Sequence, residues 1–237
     1  KPLNFFATEY SFDFLDLAYF LGQELIAKGQ VAEGTELLAR GKLAADYLVR
    51  PMSQGGAWDE RTKSFISGSN PNDNVQPDIH TWTLMVLAAT KSLHGHDPLK
   101  YASSIDAANA LAKTVTFNDK EITGLAAKPK TQIDSVSVEM MFGLRNAYRV
   151  LANEAETAGN AALAASYRTK ADNVNKQIDA LRDANGLLPW RVGDEPTDPK
   201  LLSDWSHEQW QYDYRSPHHS ANDFDFMDDN WFAVDGI

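Results

Sequence analysis

Residues 12–28, FDFLDLAYFLGQELIAK, carry apolar side chains around most of a helical circumference, which predicts a helix buried on more than one side. Residues 31–49 follow with a different pattern. There Glu33, Glu36, Arg40, Lys42 and Asp46 mark a wet face, as expected of an amphipathic helix on the outside of a core. The alternation repeats twice: 80–94 and 134–154 are broadly apolar, while 102–117 and 160–182 are striped. In 102–117 the stripe is Ile105, Ala108, Leu111 and Val115; in 160–182 it is Tyr167, Ala171, Val174, Ile178 and Leu181, at steps of four, three, four and three. These segments predict three pairs of one inner and one outer helix. Helices that are apolar all round need a covering layer, so the expected fold class is all-α with two layers.

The starts of two inner helices resemble each other. Gln76-Pro-Asp78 opens one and Gln132-Ile-Asp134 the next, 56 residues on, which reads as an internal repeat. Near the end of the chain, Asp228, Asp229 and Asn230 are placed to cap a helix beginning Trp231-Phe-Ala-Val234. That helix reads as the start of a fourth inner one. The expected organisation is a single helical-hairpin domain over 1–237, with a long acidic, aromatic-rich loop at 183–230.

Several short stretches carry a family resemblance. Gly55-Gly56-Ala57-Trp58-Asp59 and Asp228-Asp229-Asn230-Trp231 are similar to the Gly-Gly-x-Trp and Asp-Asp-x-x-Trp turns of six-hairpin glycosidases and sugar epimerases. The hairpin alternation resembles their (α/α) toroid. The resemblance implies a partial toroid of about three hairpins, completed by a second chain or a further C-terminal portion. It also implies a ligand funnel lined by the N-terminal ends of inner helices, pointing to Asp78, His80, Trp82 and Asp134. Tyr212-Asp213-Tyr214-Arg215-Ser216-Pro217 is similar, one residue short, to the Tyr-Asp-x-x-Arg-x-Pro stretch of one inverting cellulase and chitosanase family.

Charge narrows the ligand class. The net formal charge is −11, which argues against a nucleic-acid backbone or an anionic membrane as partner and favours a neutral or cationic ligand. Arg191–Ile237 holds eleven Asp plus Glu against three basic residues, so −8 of the charge sits in the last fifth of the chain. There is no cysteine, which excludes disulfides, thiolate metal sites and a cysteine nucleophile. No apolar run reaches the length of a membrane span, and the first residues lack the pattern of a signal peptide. A mature form in a periplasmic or extracellular location is the expectation.

The candidate chemistry is carboxylate chemistry. Glycoside hydrolysis uses two carboxyl groups flanking the bond, with aromatic faces holding the sugar rings. The candidate acids are Asp78, Asp134, Asp213, Asp228 and Asp229; Trp58, Trp190 and Trp210 are candidate sugar platforms, with His80, Tyr212 and Arg215 as further ligand contacts. Each has a structural alternative, since an aspartate before a helix caps it whether or not a ligand binds. His80 and Trp82, two positions apart, point about 200° apart on a helix. Trp82 is expected in the core and His80 towards a ligand.

No cofactor is expected. His218-His219 lack the spacing of a zinc pair, whereas the alternating oxygens of Asn70, Asn72 and Asn74, and of Asp223 and Asp225, suit calcium as the alternative ion. The function expected is a glycoside hydrolase acting on a neutral or cationic polysaccharide. A non-catalytic helical-repeat binding or scaffold protein and a polysaccharide lyase are the alternatives.

Overall fold

Helix α1 (Thr8–Ala27) and helix α2 (Val31–Val49) form an antiparallel hairpin turned by Gly29, whose φ of 84° is a conformation glycine adopts without strain. The computed structural model describes residues 8–68, 77–126, 135–182, 188 and 191–193. The two helices approach at glycines. A Cβ added at Gly34 would stand 2.5 Å from the Gly22 carbonyl oxygen, and one at Gly41 would stand 3.0 Å from the Ala18 Cβ.

After α2 the chain makes a 3₁₀ turn at Met52–Gln54 and a short antiparallel ribbon of β1 (Trp58–Asp59) and β2 (Ser64–Phe65). Helix α3 (Pro77–Ala89) runs into the single turn α4 (Lys91–His94). Helix α5 (Ser104–Asn109) leads into the hairpin of β3 (Ala112–Phe117) and β4 (Lys120–Leu125). Strand β5 (Ser135–Ser137) precedes helix α6 (Val138–Thr157), which forms a second antiparallel helical hairpin with α7 (Ala161–Ala180). Strand β6 (Arg191–Gly193) pairs antiparallel with β5.

The expectation of an all-α toroid is therefore corrected. Among the described residues, three two-stranded antiparallel sheets interrupt the helices, and the segment 102–117, predicted as one outer helix, is a short helix followed by a strand. The reason is local. Thr114, Val115 and Thr116 favour extended backbone, and Asn118-Asp119, with φ of 48° and 60°, supply the two left-handed residues of a tight hairpin turn. The predicted fourth inner helix at Trp231 lies outside the described residues.

The main core lies between α1, α2, α3 and α6. Leu15, Leu48, Leu84, Leu87, Met85 and Leu151 are all fully or almost fully buried there, each contributing about 2 kcal/mol of burial. A second core of Val115, Ile122, Val136, Met141, Ile178 and Leu181 fills the space between the β3–β4 hairpin, β5 and the α6–α7 pair.

Helices α3 and α6 run side by side and parallel. Thr81 and Trp82 meet Gly143 near the start of both helices, where a Cβ on Gly143 would stand 3.0 Å from the Trp82 indole nitrogen. At the far end Lys91 pairs with Glu154. The two meeting points join residues 62 and 63 apart in sequence, the constant offset that parallel helices require. The N-termini of α3 and α6 therefore emerge at one end of the molecule.

Candidate site at the paired helix N-termini

Pro77 occupies the first position of α3, where its missing N–H costs nothing, and Asp78 follows in the first turn. The Asp78 Oδ1 accepts the Ile79 N–H at 2.8 Å, and the Thr81 hydroxyl donates to the Asp78 carbonyl at 3.2 Å. Asp78 is half-buried. Its carboxylate favours the positive end of the helix dipole, so the capping role anticipated for it is present in the geometry.

The N-terminus of α6 is fixed from the other side. Its cap is Ser137, whose hydroxyl oxygen accepts the Met140 N–H at 3.4 Å, and the β5–β6 pairing sets Ser135 opposite Gly193. Ser135 and Ser137 are buried. The second Gln-x-Asp stretch thus differs from the first: β5 stands between Asp134 and α6, whereas Asp78 lies inside α3.

Trp82 packs as expected of it, while His80 does not face a ligand. His80 is fully buried, and Trp82 is half-buried, packed against the main core and along Gly143. His80 faces inwards because the same helical side carries Leu84 and Leu87 into the core. Neither ring nitrogen of His80 has a hydrogen-bond partner among the described residues, and burial pushes its pKa down to about 4. It is a neutral core side chain and not a surface for a ligand.

Trp58 is likewise internal. It lies opposite Phe65 in the β1–β2 ribbon, and the rings of Phe65 and Tyr101 both meet it edge to face with centroids 5.0 Å away. At 7% exposure it has no face left for a sugar ring. The Gly55-Gly56 turn before it is structural: Gly55 has φ of 78°, and a Cβ on Gly56 would run into the Arg50 carbonyl. Asp134, Trp190, Trp210, Tyr212, Asp213, Arg215, Asp228 and Asp229 lie outside the described residues, as do Asn70, Asn72, Asn74, Asp223 and Asp225.

A polar cluster that the sequence reading did not single out joins α2 to α4. The Thr90 hydroxyl donates to the Val86 carbonyl at 2.6 Å and stands 3.1 Å from His94 Nε2. His94 Nδ1 accepts the His96 N–H at 2.9 Å, and His96 Nε2 lies 2.7 Å from Asp46 Oδ1. The two imidazole rings stack at 5.0 Å. With Nδ1 accepting, His94 keeps its proton on Nε2, and burial followed by the neighbouring His96 lowers its pKa to about 4. The signal in the sequence was His94-Gly95-His96, where Gly95 at φ 73° folds the second histidine back over the first.

Among the described residues, no group of three or more His, Asp or Glu side chains is placed to hold a metal ion. Among them, no helix is long and apolar enough to cross a membrane. Comparison of the chain with family models, with curated proteins and with solved structures finds no match.

Proposed function

We propose that the chain is a glycoside hydrolase for a neutral or cationic polysaccharide, with Asp78 and Asp134 as its carboxyl pair. One observation carries the reading: the parallel α3 and α6 bring their N-termini to the same end. Asp78 is in the first turn of α3, and Ser135, the residue after Asp134, begins the strand that leads into α6. Displacement at a glycosidic carbon requires two carboxyl groups, one as proton donor and one as base or nucleophile, and Asp78 and Asp134 are the acids that chain order sets at or just before these two elements. The acidic balance of the chain favours uncharged or positively charged sugars over anionic ones.

The test is a reducing-end assay of the wild type, Asp78→Asn and Asp134→Asn on β-glucans and on chitosan. Loss of turnover by about 10²-fold or more in each variant supports the pair. Wild-type turnover in both variants overturns it. Retention on an immobilised polysaccharide without any product identifies a binding protein instead, and a product with new ultraviolet absorbance from a double bond identifies a lyase.

A further inference from the structure

Helix α1 has two apolar sides. One, with Phe12, Leu15, Ala18 and Tyr19, is buried in the molecule. The other has Tyr10, Phe14, Leu17 and Leu21 at steps of four, three and four, which are 69%, 37%, 58% and 42% exposed; Phe20, beside them, is 40% exposed. Alternating steps of four and three lay a straight seam along a helix, the pattern by which one helix packs lengthwise on another. At roughly 200 Å² for a large side chain, this seam leaves on the order of 500 Å² of apolar surface in water. A stable interface buries about 800 Å² per partner, of which somewhat over half is apolar, so the seam has the area that one side of a dimer needs.

We propose that this seam docks on the same seam of a second copy of the chain, with the two α1 helices antiparallel. The spacing is self-complementary in that direction: with Phe14 opposite the partner's Leu17, Tyr10 falls opposite the partner's Leu21. Charge selects the direction as well. Glu9, Asp13 and Asp16 make the first half of α1 acidic, while Glu24 in the second half is paired with Lys28 at 2.7 Å. In this antiparallel register Glu9 falls opposite position 22 of the other copy, far from the partner's Glu9, and only the two Asp16 come side by side, whereas parallel packing in register would stack all three acids. Each copy carries a net charge of −11, so salt that screens the mutual repulsion strengthens the contact.

Sedimentation equilibrium of the whole chain tests this at about 20 mM and about 500 mM salt, conditions on either side of strong screening. The expected result is a species of twice the single-chain mass that tightens with salt. Leu17→Glu and Phe14→Glu, at exposed positions, should each weaken association at least about tenfold, the effect of burying a carboxylate in an apolar seam. Their circular dichroism should match the wild type. A monomer at every concentration and both salt levels overturns the proposal. So does a dimer that both variants leave unchanged. Association that weakens with salt also overturns it, because charge contacts between copies and not the apolar seam would then hold the dimer.

Discussion

His80 makes the chain acid-sensitive in a way that can be measured. Its imidazole is fully buried with no partner for either nitrogen among the described residues, and its folded pKa is about 4 against the ordinary 6.5. The folded state therefore refuses a proton that the unfolded chain accepts. Above pH 6.5 neither state is protonated and there is no penalty; as pH falls below 6.5 the unfolded state gains the proton, and stability drops until the folded state protonates near 4. The full loss is about 3 kcal/mol, of which about 2 kcal/mol has accrued by pH 5. The perturbation is His80→Leu, close in volume and with nothing to titrate. Because no hydrogen bond is deleted, the variant should be within about 1 kcal/mol of wild type at pH 7.5, or more stable. Urea unfolding of both proteins from pH 7.5 to 5 should show a gap opening by about 2 kcal/mol in favour of the variant. If the two lose stability in parallel, the assignment of acid sensitivity to His80 is wrong.

Three further outcomes follow from packing. Gly34→Ala puts a methyl group 2.5 Å from the Gly22 carbonyl oxygen and should cost about 2 kcal/mol, read as a lower thermal midpoint, despite alanine's better helix propensity. Trp58→Ala removes the ring held between Phe65 and Tyr101 and should cost about 3–5 kcal/mol in denaturant unfolding. Asn160, whose side chain accepts the Leu163 N–H at 3.1 Å to cap α7, should cost about 1 kcal/mol when changed to alanine, measured in the same way.

The helical hairpins were legible because periodicity alone specifies them. The stripe 31–49 coincides with α2, and the apolar segments at 12–28 and 134–154 overlap α1 and α6. The β3–β4 hairpin was not, because Ile105, Ala108, Leu111 and Val115 satisfy a helical stripe while two of them belong to a helix and Val115 to a strand. Only the β-branched run and the Asn118-Asp119 turn distinguished the two. At the candidate site, sequence located the end of α3 and the packing of Trp82 but turned His80 outwards, where the structure buries it. The rotation of a helix apolar on every side is set by its neighbours, here by Gly143 leaving room for the indole. The Asp46–His96 contact spans 50 residues and has no local signature beyond the His-Gly-His spacing.

The parallel seam between α3 and α6 also sets an expected order of assembly. Within the α1–α2 hairpin, Gly22 meets Gly34 across only a short turn, and α6–α7 closes in the same local way around Gly159. Bringing Thr81 to Gly143 closes a loop about five times longer, an added entropic cost of about 1.5 kcal/mol. Local contacts form fast and distant ones slowly, so the two helical hairpins are the early folding units. Mutations inside the hairpins should then slow refolding, whereas Gly143→Ala, at the late-closing seam, should chiefly speed unfolding.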